Sequence, residues 1–143
     1  MTSSSPPKNY VLRIVKEEWC QRVFSTKRYF PGVPRRWNPG DMIFLVHKVG
    51  KADSLIGYGV IEEFVEKEEL PEDERRVCEE MGWRGVIVFN ELYKIDPPVP
   101  VKDTILSAVE ARGKYLHGYP LTDEQVESIL RTVKAKVSLK EAR

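Results

Sequence analysis

The chain has 143 residues, of which 41% are hydrophobic and 31% charged, with 23 Lys and Arg against 22 Asp and Glu. This length suits a single domain with a hydrophobic core, and this composition is typical of globular proteins and excludes disordered or fibrous ones. A net charge of +1 also excludes a protein that is strongly basic or strongly acidic as a whole.

The N-terminus and the cysteines predict a cytoplasmic protein. Residues 1–9 lack the apolar stretch of a signal peptide, and we expect them to form a disordered lead. No run of about 18 apolar residues predicts a membrane span. Cys20 and Cys78 form no CxxC pair, so a reduced pair is favoured over a disulfide. Only three Asn and two Gln occur among many charged residues, a bias typical of thermophiles.

Strands and helices alternate along residues 10–134, which we interpret as one domain. Apolar alternation and apolar runs predict strands over 9–15, 42–49, 55–70 and 83–95. Helical spacing and capping residues predict helices over 16–24, 71–82, 102–111 and 121–134. In the last of these, Thr122 and Gln125 have the spacing of a capping box. Residues 135–143 are expected to extend this helix or to fray.

Two glycines in the longest predicted strand suggest how these elements assemble. Gly57 and Gly59 occupy alternate positions, a pattern typical of a bend or of close approach by another group. With only four or five strands, the sequence predicts an α+β fold: a small, mixed, mostly antiparallel β-barrel with surrounding and capping helices. Its core is expected to include Ile43, Leu45, Ile56, Val60, Val86 and Val88.

The stretch RYFPGVPRRWNPGD, residues 28–41, has an unusual composition for a loop. It holds three aromatic residues, three arginines and three prolines, and its only acid is Asp41. Pro39 and Gly40 are typical of a type II turn at its end. In contrast, residues 62–80 contain ten acidic residues, which we interpret as a solvated surface.

Three segments together resemble the PUA-like superfamily, especially its EVE, ASCH and YTH-like branch. They are WNPGDMIFLV (37–46) with IGYGVI (56–61), FPGVP (30–34), and YLHGYPLTDEQVESIL (115–130). The second is similar to the Trp-Gly-Val-Pro of EVE domains, with Phe30 in place of the tryptophan and Pro31 inserted. The resemblance covers roughly residues 10–133 and implies a PUA-like barrel, which we interpret as that of an archaeal relative.

The resemblance implies that the mouth of the barrel accepts a base or a modified base. We therefore expect a binding module for RNA or a modified nucleobase rather than an enzyme, with an aromatic pocket and a basic rim. Unpaired bases stack on aromatic rings, and arginines bind phosphates. The expected ligand-binding residues are Tyr29, Phe30, Trp37, Trp19, Tyr115 and His117. The expected phosphate-binding residues are Lys27, Arg28, Arg35 and Arg36. The other interpretation is that Phe30 and Trp37 fill the end of the barrel and that the arginines are solvated.

Two other functions remain open. Some ASCH-like relatives hydrolyse acylated nucleosides with a Lys, a Thr and a Glu, and Lys27, Thr26 and Glu62 or Glu63 could form a similar set. A protein-interaction domain is the third possibility. His47 and His117 have no nearby Cys or His at ligand spacing, so no metal site is predicted. We expect no cofactor, and the oligomeric state is left open.

Overall fold

A computed structural model of the protein describes residues 9–32, 37–108, 117–136 and 138–141. The chain forms, in order, β1 (Asn9–Ile14), α1 (Glu17–Thr26), β2 (Arg28–Tyr29), β3 (Met42–Val49), β4 (Ala52–Glu66), α2 (Glu72–Met81), β5 (Gly85–Pro100), β6 (Tyr119–Leu121), α3 (Asp123–Lys136) and β7 (Ser138–Glu141). Short 3-10 turns occur at Lys67–Glu69, Val101–Asp103 and Ile105–Ala108. The predicted disordered lead lies outside the described residues, except for Asn9, which begins β1.

All of these strands belong to one mixed sheet, so the α+β class is confirmed. Its order is β2-β5-β4-β3-β1-β6, and β7 pairs with β5. Among the strand pairs of the described residues, β1 and β3 run parallel and the others run antiparallel, as expected. The prediction of a closed barrel is wrong, because no ladder between described residues joins β2 to β6. These edge strands have two and three residues, too few for the continuous ladder that closure requires.

The sheet has a hydrophobic core on each face, because its inner strands alternate between apolar side chains directed to either side. Leu12 of β1 packs in one core with Val23 of α1. The adjacent residue Val11 packs in the other core with Ile129 of α3. Burial is confirmed for most of the residues predicted for the core: Ile43, Leu45, Ile56 and Val86 are buried, whereas Val60 and Val88 are partly buried.

The predicted turn at residues 38–41 connects the loop to the sheet. The Asp41 N–H donates to Asn38 O at 3.1 Å, and Gly40 has φ of +90°, as a type II turn requires. Asp41 is fully buried, and one of its carboxylate oxygens, Oδ2, accepts the Asn38 N–H at 3.0 Å. The Gly40 N–H donates to Ile61 O, and the Ile61 N–H donates to Asp41 O. These two hydrogen bonds hold the turn against β4.

Close packing explains the glycine at position 57. A Cβ atom there would lie 2.5 Å from Phe24 Cζ and 2.7 Å from Tyr93 O. The register between β4 and β5 also shifts between Leu55 and Gly57, which bends the strand at this point. Gly57 therefore allows the close approach of helix α1, by way of Phe24, whereas a Cβ at Gly59 would meet Glu91 O and Phe89 of β5.

Two segments differ from the sequence-based prediction. The tail was expected to extend α3 or fray, but residues 138–141 form β7, in which Leu139 pairs with Ile95 of β5. The predicted helix at 102–111 is replaced, as far as it is described, by 3-10 turns ending at Ala108. Its first turn is stabilised by Thr104, whose hydroxyl donates to Val101 O at 2.7 Å.

The predicted capping box is confirmed, since Thr122 and Gln125 exchange hydrogen bonds of 2.9 and 3.1 Å. Within the described ranges, no helix is both long enough and apolar enough to cross a membrane.

The packing at Gly57 predicts a selective loss of stability in Gly57→Ala. The added methyl would overlap Phe24 and a backbone carbonyl, so we expect the free energy of unfolding to fall by about 1–3 kcal/mol. Glu62→Ala, at an exposed position of the same strand, is the control and should change it by less than about 0.5 kcal/mol. Chemical denaturation measures both. Equal stability of Gly57→Ala and the wild type would contradict this account of the glycine.

Candidate functional site

A groove lined by aromatic side chains lies where α1, the end of β2 and the start of β5 meet. Its volume is about 440 Å³, and Trp19, Phe30 and Trp83 line it. We name it the aromatic groove. Phe30 and Trp83 are stacked, with ring centroids 5.3 Å apart and planes at 19°. Trp19 meets both edge-on, at centroid distances of 6.1 and 5.7 Å. All three rings are partly exposed, so they pack on one another and still face the groove.

Three different segments position these rings. Trp19 lies on α1, one residue before the buried Cys20. Helix α2 ends at Gly82, whose φ of +74° turns the chain so that Trp83 N–H donates to Cys78 O at 2.8 Å. Phe30 follows β2 directly. Gly32 comes so close to the Trp83 indole that a Cβ there would lie 3.1 Å from Nε1.

His117 joins the two ends of the sheet at this groove. Arg13 N–H donates to His117 Nδ1 at 2.9 Å, and His117 Nε2 lies 2.9 Å from Pro31 O. Because Nδ1 accepts, the neutral ring must carry its proton on Nε2, which donates to Pro31 O. Burial lowers the pKa of His117 from 6.5, and the positive charge of Arg13 adds to this effect, whereas the bond to Pro31 opposes it. His117 thus holds the Phe30–Gly32 segment, next to β2, against β1.

The cations around the groove are partly neutralised. The Arg13 guanidinium binds Asp53 at 3.1 Å, and Arg28, expected to bind phosphate, instead pairs with Glu74 at 2.8 Å. Arg22 lies over the Trp19 ring, 4.8 Å from its centroid. Lys16 lines the groove and is exposed. Arg35 and Arg36 lie outside the described residues.

The structure brings together four of the residues predicted to bind a ligand: Trp19, Tyr29, Phe30 and His117. Tyr29 is only 8% exposed, and burial raises the pKa of its hydroxyl well above 10, so it forms the floor of the groove. Tyr115 lies outside the described residues.

Trp37 is not part of this site, which corrects the predicted pocket. It is 5% exposed and packs edge-on against Tyr10, with a centroid distance of 5.2 Å. Conversely, Trp83 lines the groove although no sequence motif singled it out. One feature of the sequence could have identified Trp83. It directly follows a glycine that ends a helix, and a large ring in this position is exposed where the next strand begins.

The residues considered for hydrolysis form no catalytic arrangement. Thr26 Oγ1 donates to Arg22 O at 2.6 Å and accepts the Arg28 N–H at 3.2 Å, so this hydroxyl closes the end of α1. Lys27 has φ of +58° and ends the same helix, and Glu62 is exposed on β4. No hydrogen bond or ion pair joins Thr26, Lys27 and Glu62 among the described residues, and none of them lines the groove.

A second cavity, of about 620 Å³, lies on the other side of α1. Glu17, Cys20 and His47 meet there, with their potential metal-ligand atoms all within 4.8 Å of one another. Burial, together with the charge of Glu17, raises the pKa of the Cys20 thiol to about 11, which excludes an activated cysteine nucleophile at neutral pH. The three side chains have the chemistry of metal ligands, although the sequence predicted no metal site.

The comparisons with known proteins identify the fold. No family model matches the sequence, and no curated protein matches it. Among solved structures, the chain is similar to the crystal structure of ASCH from Zymomonas mobilis, with a TM-score of 0.61 and 15% identity over 92% of this chain and 96% of that chain. The chain therefore has an ASCH-like fold.

The lowered pKa of His117 predicts a pH-dependent stability. A folded-state pKa below 6.5 means that the unfolded chain binds more protons, so stabilisation present above this pH is lost as the pH falls. We expect the free energy of unfolding to decrease more between about pH 7.5 and pH 5 in the wild type than in His117→Gln. Denaturant titrations at both pH values measure this difference. Identical pH dependence in the two proteins would show that His117 does not hold its neutral form in the fold.

Proposed function

We propose that the protein is a non-catalytic binding module for single-stranded RNA that takes an unpaired base, or a modified base, into the aromatic groove. The observation that carries this proposal is the convergence of Trp19, Phe30 and Trp83, three partly exposed rings from three separate segments, around one groove. A volume of about 440 Å³ is within the range of small-ligand sites. The ASCH-like fold supports a function of this class without choosing between binding and hydrolysis.

The ring geometry suits a flat aromatic ligand. The Trp19 plane stands at 80° and 81° to the stacked planes of Phe30 and Trp83, so the rings form two walls of a corner. A base lying along one wall would stack on that wall and present its edge to the other, the two arrangements that aromatic groups favour. Each base stacked in this way contributes about 1–3 kcal/mol, and this contribution requires no particular base sequence.

The rim of the groove suggests the direction of the phosphate backbone. Lys16, at the N-cap of α1, and Arg22, on the helix itself, lie at one side. At the opposite side, α2, in the acidic stretch 62–80, leads into the groove through Met81 and Trp83. We therefore expect the phosphates to follow the α1 side of the groove, and the sequence adds Arg35 and Arg36 as further candidate contacts. Arg28 is not included, because its charge is compensated by Glu74.

Other functions receive less support. A hydrolase would need an activated group beside the ligand, but the Thr26 hydroxyl is used in helix termination. The exposed apolar side chains Val15 and Met81 line the same groove, so they extend the proposed ligand site and do not form a separate protein-binding patch.

Ring substitution tests the proposal. Trp19→Leu and Trp83→Leu keep an apolar side chain but remove the stacking surface, so affinity for short single-stranded fragments of total cellular RNA should fall roughly 5- to 150-fold. Fluorescence anisotropy measures binding, and thermal melting shows whether each variant is folded.

Trp37→Phe is the matched control, because it also replaces a tryptophan but lies in the core. It should lower the melting temperature and leave affinity unchanged. Wild-type affinity in both folded groove variants would refute the site, and so would a loss of affinity in Trp37→Phe equal to theirs.

The arginines of the loop give a second test. If Arg35 and Arg36 contact phosphates, replacing both with Ala should weaken binding and reduce the slope of log affinity against log salt by about 0.7 per lost contact. Arg75→Ala with Arg76→Ala removes the same charge from the exposed face of α2 and should leave the slope unchanged. Equal slopes in the two double variants would mean that this loop makes no specific phosphate contacts.

A further inference from the structure

The second cavity contains an arrangement that the proposed RNA binding does not use. Glu17 and Cys20 are three residues apart on α1, so both side chains lie on one helix face. His47, on β3, faces them from the sheet, with Nε2 at 3.0 Å from Glu17 Oε2. Cys20 is buried, and the His47 side chain is 13% exposed, whereas the Glu17 carboxylate is open to solvent.

The hydrogen bonding of His47 directs Nε2 toward the Glu17 carboxylate. Nδ1 lies 2.7 Å from Ile14 O, a backbone acceptor, so Nδ1 carries a proton. A neutral imidazole has no second proton, and its Nε2 lone pair would then face the Glu17 carboxylate oxygen directly. Either a proton or a metal ion between these atoms removes the repulsion. A backbone carbonyl that fixes Nδ1 and directs Nε2 outward is also the usual environment of a metal-binding histidine.

We propose that Glu17, Cys20 and His47 bind a Zn²⁺ ion. One nitrogen, one sulfur and one oxygen form a ligand set that zinc accepts, and in a tetrahedral site the ligand atoms lie about 3.3–3.7 Å apart. Here they all lie within 4.8 Å, so a shift of about 1 Å by the exposed Glu17 side chain and by Cys20 completes the geometry. Binding replaces the thiol proton of Cys20 and any proton on Nε2, and both are released to solvent.

The fourth coordination position would face the second cavity, of about 620 Å³. Three protein ligands and one open position are typical of zinc sites that hold a water or an anionic group, whereas structural sites have four protein ligands. Lys94 lines the same cavity, so an anion bound to the metal would have a cation nearby. Helix α1 separates this site from the aromatic groove, so the proposal of metal binding does not depend on the proposal of RNA binding.

Cobalt(II) is the probe for this site, because its coordination by a thiolate gives a charge-transfer absorption that zinc lacks. Metal-free, reduced wild-type protein should bind one Co²⁺ per chain with this absorption, and Zn²⁺ should displace it. Cys20→Ser should abolish the absorption. Glu17→Gln should weaken Co²⁺ binding at least about tenfold. Replacing a residue that only supports a metal ligand usually costs at least this much metal affinity, and Glu17 is a ligand itself.

Two controls match these variants closely. Cys78→Ser removes the other buried cysteine, which lies on α2, and should keep the absorption. Glu18→Gln removes the neighbouring exposed carboxylate on the same helix and should keep the affinity. Because Glu17 is exposed, its variant should fold even if Cys20→Ser does not. The proposal is overturned if the wild type binds no Co²⁺, in which case His47 and Glu17 form only an imidazolium–carboxylate ion pair. It is also overturned if Cys20→Ser behaves like Cys78→Ser, or if Glu17→Gln behaves like Glu18→Gln.

Discussion

The bridge through His117 is the constraint on which the aromatic groove depends. The two ends of the sheet, β2 and β6, are short strands, and no ladder joins them within the described part of the chain. His117 bridges them by accepting the Arg13 N–H and lying 2.9 Å from Pro31 O. This bond holds the segment that carries Phe30 against β1, and therefore beside Trp19 of the following helix.

Helix α1 gives the molecule two chemically different cavities. Trp19 lies in the aromatic groove, while Glu17 and Cys20 line the second cavity. Phe24 of the same helix packs against Gly57 of β4, and this contact holds the helix close to the sheet. The two sites therefore share one rigid element, but their side chains do not overlap. This separation allows stacking and metal binding to be tested by independent substitutions.

Local patterns predicted most of the elements, because apolar periodicity and capping act within a few residues. The helix with Thr122 and Gln125 and the turn before β3 are examples. The missing ladder between the described strands β2 and β6 and the added strand β7 could not be predicted, since both depend on pairing between distant segments. Within one aromatic loop, sequence could not separate Phe30, at the groove, from Trp37, in the core.

The candidate sites show the same limit. Trp83 reaches the groove only because α2 ends beside it, and Cys20 meets His47 only through the packing of a helix on a strand. Sequence spacing between the two histidines and the cysteines therefore gave no metal signal. The sequence also does not show which charged side chains pair. Arg28 was therefore expected to be free to bind phosphate, although Glu74, 46 positions away, binds its guanidinium.

The indole N–H resonances of the three tryptophans test the central claim most directly. Two of these side chains, Trp19 and Trp83, line the aromatic groove, and Trp37 is buried in the core. In a two-dimensional ¹H–¹⁵N NMR titration with short single-stranded fragments of total cellular RNA, the Trp19 and Trp83 signals should shift with saturable dependence on RNA concentration, while Trp37 should stay in place. Shifts confined to Trp37, or no shift of any indole while other amides respond, would contradict base binding in the aromatic groove.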